Sequence, residues 1–261
     1  MNDEKMILTE KGKGSLTITM NRAAALNSLH PTLIDQLVDA LLTADKDPEV
    51  KVIILTGAGK AFCAGGDLAH LDSLTDPVSA YGYIEQAGTI IKTIANLNKP
   101  VIAMVNGVAA GAGFNLVLAC DIVICAKSAR FAQSFSKIGL IPDCGGTYLL
   151  PRAVGLHKAK ELMFTADLIS SEDALQFGFV NQLVEDCDLI EKTNKFAERL
   201  VASAPVAITF IKKALNQSHE LSLVEALGVE ATLQGLCLQT QDNKEGILAF
   251  KEKRVANFIG K

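Results

Sequence analysis

Apolar residues recur along this chain in two rhythms. In residues 31–46, Leu33, Ile34, Leu37, Val38, Leu41 and Leu42 repeat at helical spacing, while Asp35, Gln36, Asp39 and Lys46 fall on other faces. Pro31 suits a first helical position, so the pattern predicts an amphipathic helix. In residues 15–20, Leu16, Ile18 and Met20 alternate with Thr17 and Thr19, the period of a half-buried strand. Residues 7–10 read as its partner across a turn at 11–14. Other apolar runs are short and unbroken: residues 52–56 (VIILT), 101–105 and 122–126 predict buried strands. A helix is predicted over 78–97, after Thr75-Asp76-Pro77, and another over 111–119. Residues 57–68 and 138–146 read as loops, 130–133 as a short strand, and 147–154, 157–164 and 171–177 as short helices. Beyond residue 184 the pattern is helical alone, over 188–203, 205–219, 221–238 and 243–258. Short strands joined by helical crossovers predict an α/β body. Periodicity leaves open a doubly wound sheet or a coiled superhelix of strand–strand–helix turns.

The most apolar stretch, residues 101–126, holds three glycines and six alanines, with Asn106, Asn115 and Asp121 as its strongly polar side chains. It is long enough to span a bilayer. The Asn106-Gly107 turn signal, Gly111, Gly113 and the missing aromatic flanks favour strand, turn, helix and strand, buried in protein.

Composition narrows the function classes. Hydrophobic residues are 49% and charged residues 21% of 261 positions, and the net charge is −4. That is an ordinary globular balance with no basic block, which argues against a nucleic-acid surface. The six cysteines show no CxxC spacing and the four histidines no HxxxH, so a zinc site is not expected. Residues 1–13 lack the apolar core of a signal peptide. A reducing, cytoplasmic setting is the expectation.

Two glycine-rich loops, residues 57–66 and 107–113, each follow a predicted buried strand. Glycine lets a ligand approach bare backbone N–H groups, and a helix starting just after adds unsatisfied donors and a favourable dipole. Two such donors could converge on one oxygen; close packing of helix on strand accounts for the same pattern. Neither loop carries the Gly-Lys-Ser/Thr ending of a phosphate loop or a dinucleotide fingerprint.

The chain resembles the crotonase (enoyl-CoA hydratase/isomerase) superfamily in residues 21–29 (NRAAALNSL), 54–68 (ILTGAGKAFCAGGDL), 99–121 (KPVIAMVNGVAAGAGFNLVLACD), 131–152 (FAQSFSKIGLIPDCGGTYLLPR) and 246–258 (GILAFKEKRVANF). These segments spread over nearly the whole chain. The resemblance implies an α/β crotonase-like ββα superhelix, a catalytic core over 1–198, and a C-terminal helical region over 199–261 used in packing trimers or hexamers. It implies acyl-CoA thioester substrates, with CoA arriving on the substrate and no separate cofactor, no metal, no nucleic acid and no membrane partner. The oxyanion hole would be the N–H groups of Gly66 and Ala112. Ala64, Asp67, Leu68, Asn115, Phe135 and Lys253 fall at substrate-binding positions.

The departures from the family pattern carry the chemistry. Hydratases use two glutamates to handle water; here Asn115 and Phe135 occupy those places, and neither can act as a carboxylate base. Asp143, in IGLIPDCGG, sits where the single-aspartate isomerase branch has its acid/base, a branch that includes the phenylacetate-pathway epoxide isomerases and Δ3,Δ2-enoyl-CoA isomerases. One carboxylate suffices to move a proton between carbons. From the residues alone, Asp143 reads first as a turn or helix-capping aspartate after Pro142; the resemblance makes it the base. Cys144 has no neighbouring histidine to make it a nucleophile. Asp67 either bonds its own loop or borders an adenine pocket. Lys253 and Arg254 either reach CoA phosphates of a neighbouring subunit or form a solvated helix face. Tyr81 and Tyr83 line an acyl pocket or simply pack. The reading is an acyl-CoA isomerase working through an enolate. Its rivals are an enoyl-CoA hydratase or acyl-CoA hydrolase and a non-catalytic acyl-CoA-binding subunit.

Overall fold

A computed structural model describes residues 5–261; the first four residues of the N-terminal segment discussed above lie outside the described residues. The chain opens with an antiparallel hairpin of β1 (Ile7–Lys11) and β2 (Ser15–Met20), followed by α1 (Pro31–Lys46). His30 caps α1 by accepting the Thr32 N–H at 3.2 Å, and Pro31 stands first in the helix. Leu33, Ile34, Leu37 and Leu41 are buried as the pattern predicts, while Leu42 is exposed.

A strand–strand–helix unit then repeats. The first turn is β3 (Val52–Gly57), β4 (Ala61–Cys63), a short α2 (Leu68–Ser73) and α3 (Pro77–Asn96). The second is β5 (Val101–Val105), β6 (Val108–Ala110) and α4 (Ala112–Ala119). The third is β7 (Ile122–Ala126), β8 (Arg130–Ala132) and, after a 3-10 turn at Ser134–Ile138, α5 (Gly146–Val154). First strands stack in a six-stranded sheet ordered β1-β2-β3-β5-β7-β10, where β10 is Gln182–Val184, and second strands in a four-stranded sheet ordered β4-β6-β8-β9, where β9 is Ile169–Ser170. The chain continues through α6 (Leu156–Thr165), β9 (Ile169–Ser170), α7 (Ser171–Phe177) and β10 (Gln182–Val184). Parallel pairing carries Ile54 onto Ile102 and Ile102 onto Ile122. This is the coiled ββα superhelix, and it resolves the alternative that periodicity left open.

The second sheet is where the sequence reading falls short. Residues 61–63 and 108–110 sit in segments read as glycine loops, yet they form strands three residues long. Such strands are too short to show alternation. The central strands β3 and β5 of the first sheet are buried on both faces. Ile53, Leu55, Ala103 and Val105 face the main core, while Val52, Ile54, Ile102 and Met104 face α8 (Leu189–Val201).

Three helices close the chain: α9 (Pro205–Ser218), α10 (Leu223–Cys237) and α11 (Gln241–Glu252). The last is shorter than the predicted 243–258. Lys253 turns left-handed with φ 53°, and the tail folds back. Its Ile259 and Gly260 N–H groups donate to the Asp242 carboxylate at 2.7 and 2.9 Å, replacing helical bonds. Among the described residues no helix is long and apolar enough to cross a membrane, and residues 101–126 form strand, strand, helix and strand.

Candidate active site

The two glycine loops meet because glycine allows it. Gly65 has φ +99°, and a Cβ there would lie 2.7 Å from the Ala110 carbonyl oxygen and 3.3 Å from the Ala112 nitrogen. Gly113 sits flush on β4, where a Cβ would fall 2.1 Å from the Cys63 oxygen. The β4–α2 loop and the N-terminus of α4 are therefore in backbone contact. Ala112 is the first residue of α4, and its N–H is one of the orphan donors of a helix start. Gly111 precedes it at φ +52° and donates to the Ala132 oxygen at 2.9 Å.

Both peptides flanking Gly66 are pinned. The Leu29 N–H donates to the Gly65 oxygen at 2.8 Å. The Asp67 N–H donates to the Tyr83 hydroxyl at 3.3 Å, and that hydroxyl donates to the Leu29 oxygen at 2.6 Å. Gly66's own N–H meets no acceptor among the described residues. The Gly66 and Ala112 peptides thus lie in adjoining loops, with the Gly66 N–H bonded to no acceptor among the described residues; donors of this kind stabilise charge on an oxygen that both can reach.

Asp67 is a structural clamp for this loop. It caps α2 by accepting the His70 N–H at 3.1 Å, and its carboxylate is hydrogen-bonded by Arg22. Burial alone would raise its pKa; the His70 N–H and Arg22 outweigh burial and hold the carboxyl below the usual range. Arg22 also donates to Ser28 Oγ at 2.7 Å. The sequence reading missed Arg22, because its carboxylate partner Asp67 lies 45 residues away.

Asp143 lies in the loop between the 3-10 turn and α5. Its Oδ1 is buried and has no hydrogen-bond partner among the described residues. Burial pushes the carboxyl above its ordinary value, partly offset by the adjacent Cys144 thiol. Its charge reaches the Tyr83 hydroxyl, whose pKa is pushed up to about 12, first by burial and then by the Asp143 and Asp67 carboxylates. The same hydroxyl lies 3.6 Å from where a Gly66 Cβ would be. The Asp143 carboxyl, its proton affinity raised by burial, thus lies within electrostatic reach of the hydroxyl that pins the Gly66 loop.

Asn115 is fully buried in α4. Its Nδ2 donates to the Asp143 carbonyl oxygen at 2.8 Å, and its Oδ1 accepts from Gln133 Nε2 at 2.7 Å. Phe135 is buried, with ring atoms 3.6 and 3.7 Å from where a Gly111 Cβ would stand. Ala64 is half-buried and donates to the Leu26 oxygen at 3.0 Å; Leu68 is exposed at the start of α2. Lys253 is exposed at the end of α11, with no bond to the loops around Gly66 and Asp143. Arg254 is taken up by Glu245 at 2.6 Å and Glu252 at 2.6 Å. Tyr81 is exposed, whereas Tyr83 packs and pins the donor loop. Burial pushes the Cys144 thiol up, with Asp143 adding to it, so no ready thiolate stands there.

The stacked ββα turns set the Gly66 and Ala112 peptides in adjoining loops and bury the Asp143 carboxyl in the loop ahead of α5. The chain belongs to the enoyl-CoA hydratase/isomerase family, whose model matches residues 10–261. It is 40% identical over 261 residues to the 1,2-epoxyphenylacetyl-CoA isomerase of Escherichia coli (strain K12), covering 98% of this chain and 99% of that one. It is 38% identical over 257 residues to the crotonyl-CoA hydratase of Syntrophomonas wolfei, covering 98% of each. A crystal structure of an enoyl-CoA hydratase from Bacillus anthracis superposes with a TM-score of 0.95 at 34% identity, over 98% of this chain and 100% of that one.

Proposed function

We propose that this enzyme is an acyl-CoA isomerase. It shifts a double bond, or opens a strained ring epoxide, through a thioester enolate. The observation that carries the reading is the buried Asp143 carboxyl in the loop ahead of α5, with amide and phenyl side chains at Asn115 and Phe135. In the double-bond reaction the Asp143 carboxylate takes a proton from the α-carbon of a 3-enoyl thioester. The electron pair moves onto the thioester oxygen, which accepts from the Gly66 and Ala112 N–H groups. The enolate collapses, and the same acid returns its proton to the γ-carbon, giving the 2-enoyl thioester. Each hole donor contributes ~2.7–4 kcal/mol, and the base roughly 10²–10⁴-fold. CoA is part of the substrate, and the reaction consumes no separate cofactor.

Against hydration stands the chemistry of adding water, which needs a base for the water and an acid for the carbon. Asn115 supplies neither, and its amide is engaged on both sides. Asp67 is committed to Arg22. The working assembly is a trimer or hexamer, in the cytoplasm. Supporting self-association, α9 and α10 line an open cavity of about 490 Å³ with Ala207, Phe210, Ile211, Ala214 and Leu227.

The test is Asp143→Asn assayed on 3-enoyl-CoA. Isomerisation is expected to fall roughly 10²–10⁴-fold, with acyl-CoA affinity kept. Full activity in that variant, or brisk water uptake into crotonyl-CoA by the unaltered enzyme, overturns the reading.

A further inference from the structure

Asp143 is held by its backbone, and the atoms that hold it form a one-way chain of buried amides. The Asp143 carbonyl oxygen accepts from Gly146 N–H at 2.9 Å and from Asn115 Nδ2 at 2.8 Å. A carbonyl can only accept, so Asn115 must present its NH₂ there and its oxygen to the far side. That oxygen accepts from Gln133 Nε2 at 2.7 Å. Gln133 is fully buried, and its Oε1 has no partner among the described residues. Flipping either amide would set two acceptors face to face, so the polarity follows from the network. The residue before Gln133 binds the other half of the site, because the Ala132 oxygen accepts from Gly111 N–H at the start of α4. One short segment therefore ties down both the donor helix and the base loop.

The packing is equally tight. Gly146 lies against the Asn115 amide, where a Cβ would fall 2.5 Å from Nδ2 and 2.7 Å from Oδ1. A glutamate at position 115 has no room to extend while the Asp143 loop keeps its place.

We propose that Gln133 is a positioning residue that acts through Asn115 to fix the Asp143 peptide, and that this pair excludes a second carboxylate from the site. The proposal rests on the isomerase reading for its kinetic consequence. Its structural half stands without that reading. Losing a donor to the Asp143 carbonyl loosens the loop, lets water reach the carboxyl and misaligns it with the α-carbon.

The experiment uses Gln133→Glu, which keeps the shape but cannot donate to Asn115 when ionised, and Gln133→Met, which removes the donor without adding an acceptor. In Gln133→Glu, kcat on 3-enoyl-CoA is expected to fall roughly 10²-fold, with KM kept within about twofold, the pattern of a lost transition-state alignment. In Gln133→Met, which adds no charge, the acid limb of kcat moves to lower pH as Asp143 becomes better solvated. Gln133→Met, which leaves Asn115 free to keep its orientation, shows the same fall in kcat more weakly. Hydrogen exchange at the Gly146 amide, which shares the Asp143 carbonyl, is expected to quicken in both. Asn115→Glu is expected to lose isomerisation without gaining hydration of crotonyl-CoA.

Unchanged Gly146 exchange in both Gln133 variants overturns the relay. Faster exchange with kcat and the acid limb unmoved overturns its role in positioning the base. Hydration gained in Asn115→Glu with isomerisation retained overturns the exclusion. Faster exchange in a protein whose unaltered form does not isomerise supports the relay and overturns the isomerase reading instead. Should Gln133→Glu fail to fold, Gln133→Met decides.

Discussion

Helices α4 and α10 are both apolar, and they have opposite fates. Of the eight residues of α4, six are buried. Of the fifteen of α10, none is, and Leu223, Val224 and Leu227 are more than half exposed. The apolar surface of α4 is consumed by this chain, and in return its first N–H is fixed for chemistry. That of α10 is left for another surface. Between them lies α9, whose one buried side chain is Lys212. Lys212 Nζ donates to Asp121 Oδ2 at 2.8 Å and to the Lys99 oxygen at 3.1 Å. The body is held by apolar packing, and the C-terminal helices are tethered to it by polar bonds.

The largest effect is expected at that tether. Lys212→Met leaves the Asp121 carboxylate, whose pKa burial already raises, without its cation. The cost is ~3 kcal/mol, the low end for breaking a buried pair because Asp121 keeps some solvent contact. Denaturant unfolding measures it, and Asp121→Asn in the same chain should recover part of the loss. No loss would mean that α9 rides on the body without energetic connection.

A matched pair of glycine substitutions comes next. Gly113→Ala drives a methyl into the Cys63 backbone and should cost ~2 kcal/mol. A Cβ at Gly228 in α10 meets nothing within 4 Å, so Gly228→Ala should gain ~1 kcal/mol from helix propensity. The two melting temperatures should move in opposite directions. A fall in the second means another surface lies against Gly228.

Leu227→Glu should change chain stability by no more than about 0.5 kcal/mol, yet reduce the sedimenting species to a single chain. An assembly that survives this change does not form through the face of α10.

The same contrast explains what could be read from residues alone. The first sheet was legible because Val52 to Thr56 and Val101 to Val105 are continuous apolar runs. The second sheet was not, since three-residue strands such as Ala61–Cys63 carry no period of their own. Gly66, Ala112 and Asp143 were singled out only through resemblance to a family; in isolation they are ordinary turn and helix-start residues. Arg22 and Gln133 were invisible because a polar residue announces burial only through its partners, and those partners lie 45 and 18 residues away. The end of α11 was misplaced because the Asp242 carboxylate captures the tail N–H groups, a contact no helical periodicity encodes.

The smallest effect contrasts two carboxyls, one from each region, through pH. Glu245 in α11 is held down to about 2 by Arg254 and the Asn257 N–H. A depressed carboxyl contributes stability above its unfolded pKa and loses it as pH falls through the folded value. Asp143 is raised by burial, so its sign is reversed. The folded state is penalised as pH rises through the folded pKa, and the penalty vanishes below the unfolded one. Asp143→Asn should therefore melt higher than the unaltered enzyme near pH 7 and equally near pH 3, while Glu245→Gln should melt lower near pH 7 and converge on acidification. Thermal unfolding across that range checks both signs. A gain near neutrality in the variant that has lost its turnover is the signature of a carboxyl buried for chemistry at a cost in stability. If Asp143→Asn gains nothing there, the Asp143 carboxyl is solvated in solution, and the site has lost the raised proton affinity that suits it to return a proton to carbon.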